Sequence, residues 1–214
     1  LGYTVVDPAS VAATHLTELL RAHAADVLGR SEVQELLDAF ARTSPKLVEE
    51  LIPTILPLGE VIKVLKNLLR EGVAIRDLRT ILETLADFGT TMKDADVLTE
   101  HVRERLGRQI SGRFLDERGQ LAAMVLGPDV EAALRGRAGV IDPSVVPRFV
   151  RGLETALTTG RPATTEPLLL VSSELRRSVA GLAARHAPGL AVMSLRELDP
   201  KTRVTTTGIV KLAA

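Results

Sequence analysis

Apolar positions in the first half of the chain recur every three to four residues, the period of a helix with one buried face. After Asp7-Pro8 they fall at Val11, Leu16, Leu19, Leu20 and Val27. Asp7 suits the N-cap, Pro8 the first helical position and Gly29 the C-cap. Ser31 followed by Gln34 has the capping-box spacing, and Val33, Leu36, Leu37 and Phe40 continue as a stripe. A third helical run, KLVEELIPTIL, closes near Pro57. A fourth, LGEVIKVLKNLLREG, turns Val61, Leu65, Leu68 and Leu69 inward and stops at Gly72. The fifth, over 75–88, aligns Ile75, Leu78, Leu82 and Leu85 on one side, and Arg76, Arg79, Glu83 and Asp87 on the other. Asp94 caps a sixth that runs to about residue 114.

Near residue 115 the period changes. LAAMVL, PLLLV and LAVMSL are short continuous apolar runs, the mark of buried strands. RVTTTGIVKL alternates and is rich in Thr and Val, which predicts an edge or hairpin strand. Helices separate these runs, one starting at Asp142 and one capped by Ser173 before Glu174. GYTVVD at 2–7 is a further β-prone stretch. No fixed-period repeat argues for a solenoid. The predicted fold class is α+β overall: an all-helical subdomain over 1–110, then a small α/β subdomain with a roughly four-stranded sheet over 111–214.

Composition narrows the function classes. Of 214 residues, 45% are hydrophobic and 25% charged, so a packed core is expected and disorder is not. Aromatics are 2%, with no Trp, which leaves little for stacking on nucleic-acid bases. Lys plus Arg and Asp plus Glu balance at 27 each, against the basic footprint of a dedicated nucleic-acid binder. There is no Cys, hence no disulfide or thiolate metal site. No apolar run approaches the roughly 20 residues of a spanning helix. A chain that opens with Leu1 rather than Met reads as a piece of a longer protein.

Candidate chemistry is sparse. His15, His23, His101 and His186 form no ligand-spaced pair, so no metal site is expected. No glycine-rich phosphate loop is present, and no cofactor is expected. Ser172-Ser173-Glu174 sits at a strand-to-helix turn where a nucleophile could stand, but without the glycines of a nucleophile elbow. Arg103, Arg105, Arg108 and Arg113 make a basic segment interleaved with Glu100 and Glu104, which reads as a solvated helix face. None of this signals an enzyme.

The segments GYTVVDPASVAATHLTELLRAHAADVLGRSEVQELLD, PKLVEEL, KVLKNLLREGVAIRDLRTILETLAD and DVLTEHVRERLGRQI resemble the FlhA/LcrD (FHIPEP) family, the export-gate proteins of flagellar and virulence type III secretion. LLLVSSELRR and LAVMSLREL fit as well, so the resemblance spans nearly the whole chain. GYTVVDP and IRDLRTILETLAD resemble the flagellar branch more than the virulence branch. The resemblance implies a cytoplasmic fragment, with 1–110 on the third and 111–214 on the fourth cytoplasmic subdomain. The membrane part, the protein's only tie to the membrane, and most of the first two subdomains would lie upstream. It also implies a ring of nine copies, docking of export chaperone–substrate complexes, contacts with other export-apparatus and ATPase-complex components, no enzymatic activity and no nucleic-acid partner. By the same resemblance Ser10 falls in a partial chaperone-docking pocket, at a position where flagellar relatives often carry Thr. Ring contacts in the family involve the helical third subdomain, so the face of Arg76, Arg79, Glu83 and Asp87 becomes a candidate ring interface. Opposite charges on such a face would set register. The plainer reading is a solvated face of weak pairs, each under about 1 kcal/mol.

Overall fold

Asp7 opens the first helix as expected: its carboxylate accepts the Ser10 N–H at 3.1 Å, with Pro8 in the first turn. In this computed structural model, which describes residues 7–136, 141–159 and 166–213, that helix is α1 (Pro8–Val27). The β-prone stretch before Asp7 lies outside the described residues. The helices α2 (Arg30–Ala41), α3 (Pro45–Glu49), α4 (Leu58–Arg70), α5 (Leu78–Gly89) and α6 (Ala95–Arg105) follow. Then come α7 (Gly107–Gly112), β1 (Gln120–Leu126), α8 (Pro128–Arg135), α9 (Val145–Thr159), β2 (Leu168–Val171), α10 (Ser173–His186), β3 (Ala191–Ser194) and β4 (Arg203–Val210). The chain divides into two compact units, Leu1–Arg105 and Leu106–Ala214.

In the first unit α4 is the central helix. Its inward residues Val61, Val64, Leu65 and Leu68 are fully buried. It packs against α1 and α6, and α6 in turn packs on α5. Leu37, Leu51, Leu56, Ile81, Leu82, Leu85, Leu98 and Val102 complete the core. Gly72, at φ 69°, ends α4: its N–H donates to Leu69 O and the Val73 N–H to Leu68 O, a left-handed helix stop that a side chain would strain. Lys93 holds the end of α5 by donating from Nζ to the carbonyls of Ile55 and Gly89, both at 2.6 Å.

Several boundaries differ from the sequence reading, each for a local reason. Gly29 is not a left-handed C-cap: it is extended, at φ −89°, and serves as the N-cap of α2. Ser31 therefore lies inside α2, and the Gln34 side chain donates to Asp38 at 2.9 Å instead of reaching back. The third run breaks after Glu49. Ile52 is extended, at φ −121° and ψ 125°, and its bond to Pro53 is cis. Pro53 lacks an N–H and pushes its predecessor out of the helical region. The fifth helix starts at Leu78, because Asp77 turns its carboxylate to the Thr80 N–H at 3.1 Å. The sixth run is two helices, broken at Leu106. Gly107 fits there because a Cβ would come 2.5 Å from the Glu197 carbonyl oxygen.

The second unit is a four-stranded parallel sheet in the order β3-β2-β1-β4. Leu168–Val171 is buried throughout, as a continuous apolar run requires. Met124, Leu126, Leu169, Val171, Val192 and Val210 form one core with Val130, Leu134, Phe149, Leu153, Leu175 and Val179 of α8, α9 and α10. β4 is an edge strand, parallel to β1, with a register shift opposite Ala123 and Met124. Eight residues carry the chain from β3 to β4. They start with a 3₁₀ turn, Leu195–Glu197, closed by a buried capping box of Ser194 and Glu197. Helix α8 had no prediction; its signals are Pro128 in the first turn, with Asp129 and Glu131 beside it. Ser172, not Ser173, takes the N-cap position of α10, with no side-chain cap bond.

Candidate functional site

The apolar positions of α1 are not its buried face. Leu16, Leu20 and Val27 stand at i, i+4 and i+11, one line along the helix, and are 58–68% exposed. Leu19, at 44%, flanks them. Ala25 and Leu28, on the far side, are the buried ones. Val11, on that far side but in the first turns, is also more than half exposed. Runs of this kind mark interaction surfaces when they are contiguous. The sequence pattern found the stripe, but amphipathic periodicity cannot say whether the chain itself supplies the cover.

Ser10 sits in the first turn of this helix and is exposed. Its hydroxyl donates to the same Asp7 oxygen that accepts its N–H, at 3.3 Å. The hydroxyl is thus held beside the Asp7 carboxylate at the start of α1.

The charged face of the fifth run is divided by the late start of α5. Arg76 precedes the N-cap and is exposed. Arg79 and Glu83 lie one turn apart on α5, at 3.4 Å. Arg79 also donates to Ser44 Oγ at 2.7 Å and lies over the Phe40 ring, 5.7 Å from its centroid. Asp87 faces Arg105 of α6 at 3.9 Å. The face therefore takes in residues that periodicity alone did not join to it: Phe40, Ser44 and Arg105. Beside them the rings of Phe88 and His101 stack, with centroids 4.0 Å apart.

The basic segment is not a continuous cationic strip. Arg103 is buried and bonds Glu71 at 2.8 Å. Arg105 turns to Asp87, Arg108 to Asp199 at 3.2 Å, and Arg113 to Glu166 at 3.1 Å. The Lys201 N–H, and then Arg108, hold the Asp199 carboxyl below its ordinary range. At the Ser172–Glu174 turn, the carboxylate of Glu174 faces Arg135 at 3.6 Å.

Parallel sheets bind ligands beyond the strand ends where the strand order reverses, here between β1 and β4. The chain's own residues 211–213 occupy that place. The Gly127 N–H donates to Val210 O, the Leu212 N–H to Asp129, and the Ala213 N–H to Arg148 O, while Arg148 Nε donates to Ala213 O. Gly152 makes room, since any Cβ there would collide with the Lys211 carbonyl. Among the described residues, no group of three His, Cys, Asp or Glu side chains is placed to hold a metal, and no helix is long and apolar enough to cross a membrane.

Residues 1–203 match the FHIPEP family. The flagellar biosynthesis protein FlhA of Bacillus subtilis (strain 168) is 38% identical over 220 residues, covering 99% of this chain and 32% of that protein. The Chlamydia pneumoniae CdsV structure aligns with a TM-score of 0.90 at 30% identity, over 96% of this chain and 61% of that one. The nonameric SctV-C of EPEC aligns with a TM-score of 0.80 at 30% identity, over 91% and 61%. The chain thus spans less than a third of the length of its FlhA relative and under two thirds of these solved chains.

Proposed function

Because this chain belongs to the FHIPEP family, we propose that it is part of the cytoplasmic portion of the flagellar type III export gate. In this reading it is a non-catalytic platform at the inner membrane. It docks chaperone–substrate complexes and passes the substrates to the membrane channel. The observation that carries the proposal is the uncovered apolar stripe of α1, with Ser10 in the same helix. Among the described residues nothing completes that surface, and in this reading upstream subdomains and then the chaperone do so. The filled crevice at the β1–β4 strand ends and the Arg135–Glu174 pair support a non-catalytic role.

Self-assembly into a ring of nine is part of the same reading, and the nonameric EPEC relative supports it. The interface would include Arg79, Glu83 and Asp87 on α5, with Arg76 just ahead of them. Components of the export ATPase complex would be further partners. The equivalent gate of a virulence system is the second reading, favoured by the TM-score of 0.90 to CdsV. The higher identity to FlhA, 38% against 30%, puts the flagellar branch first.

The test is a calorimetric titration of a flagellar chaperone–filament-protein complex into this chain extended upstream to the membrane part, with and without Ser10→Arg. Binding lost in Ser10→Arg, with circular dichroism unchanged, is the expected result. Binding indifferent to the substitution moves the pocket elsewhere on the platform. No binding removes the flagellar docking role.

A further inference from the structure

The second unit ends its sheet on a strand whose edge is interrupted only at Thr207, where the register against β1 shifts by one residue. β4 has eight residues where β2 and β3 have four each, so its outer edge is the longest in the sheet. Among the described residues no strand pairs with that edge, and no further backbone hydrogen bond engages 203–209. From Val204 to Val210 the sequence is VTTTGIV, with neither a charge nor a proline to block an incoming strand. Thr205 and Thr206 are exposed, as are Val204 at 38% and Ile209 at 52%. On either side of the Thr207 register shift, every second residue turns its N–H and C=O outward, so roughly four donors and four acceptors line the edge in two short runs.

The charges sit at the two ends of this segment. Arg203 begins it and Lys211 follows it, both exposed, and neither has an ion-pair partner among the described residues. This pattern selects among occupants. Two copies pairing antiparallel through β4 would set Arg203 of one against the Lys211 end of the other, and like charges placed opposite destabilise a pair. A segment with an uncharged β-prone centre and acidic ends meets both cations and completes the ladder.

The geometry points to β4 as a strand-addition site for an extended peptide segment with acidic flanks, which would become the fifth strand of the sheet. This stands independently of the docking role proposed for α1.

The test uses the 214-residue chain and a fluorescein-labelled peptide, Asp-Glu-Val-Thr-Val-Thr-Val-Glu-Asp, read by anisotropy. Hydrogen exchange is followed by mass spectrometry. The expected result is saturable binding that slows exchange across 203–210. N-methylation of alternate peptide amides should weaken it at least about tenfold, because it removes the ladder donors. Arg203→Glu with Lys211→Glu should weaken it about tenfold and transfer the preference to a peptide with Lys at both ends. The N-methylation arm uses the unaltered chain, so it decides even if the double variant misfolds. No binding at about 1 mM chain, a fit indifferent to N-methylation, or protection confined to other segments would each overturn the proposal.

Discussion

Single residues fix where several elements begin and end, and their effects can be predicted one at a time. Asp7 caps α1 through the Ser10 N–H, so Asp7→Ala should lower stability by about 1 kcal/mol in urea unfolding. Asp199 carries a pH signature. The Lys201 N–H and Arg108 depress its folded pKa below the ordinary 3.8. Its contribution is therefore complete above that ordinary value and is lost as pH falls through the lower, folded one. Asp199→Asn should thus narrow the stability difference between pH 6 and pH 3, measured by urea midpoints. An unchanged difference would remove Asp199 from acid unfolding. These contacts were only half legible in the sequence. Asp7-Pro8 advertises a cap because both effects are local. Asp199 with Arg108 is a pair 91 residues apart that no spacing rule joins.

At the scale of elements, the sequence located the central helices and all four strands. Val61, Leu65, Leu68, Leu82 and Leu85 read as inward, and all five are fully buried. The misplaced boundaries share one cause. Periodicity sees a face, but a cap or a proline ends an element whatever its face: Asp77 delays α5, Pro53 breaks the third run, and Leu106 separates α6 from α7. Close backbone approaches were invisible altogether. Gly152 lies in an ordinary helical pattern, yet it is where residues 211–213 cross α9. Gly152→Ala raises intrinsic helix propensity by about 1 kcal/mol, which on a free helix surface would stabilise. Here the methyl meets the Lys211 carbonyl, and overpacking at such a contact costs about 1–3 kcal/mol or forces the 211–213 segment off. The net change should be destabilising, with exchange at the Leu212 and Ala213 amides rising first. A more stable Gly152→Ala protein would show that the segment gives way freely.

Across the whole molecule, the telling feature of the candidate site is that pattern and burial disagree in α1 and agree in α4. The sequence marked an apolar stripe on α1 as well as on α4, more weakly on α1, because both carry a helical period. What the sequence could not show is that α4 finds its cover among the described residues and the stripe of α1 does not. The two helices should therefore answer opposite ways to the same chemistry. Replacing Leu16, Leu20 and Val27 together by Gln changes side chains that are all more than half exposed, so the folding stability of this chain should move by no more than about 0.5 kcal/mol per site. Leu65→Ala in α4 empties fully buried space and should cost about 2–5 kcal/mol. Urea unfolding of the two variants makes the comparison. The stripe variant should also bind less of a dye that reports exposed apolar surface, and in the upstream-extended chain it should lose the chaperone binding proposed above. If the triple Gln variant unfolds as readily as Leu65→Ala, the stripe belongs to this chain's own core and α1 is not a docking surface. If it folds normally and the extended chain still binds its partner, the cover lies elsewhere, and only the pocket position at Ser10 remains to be tested on this helix.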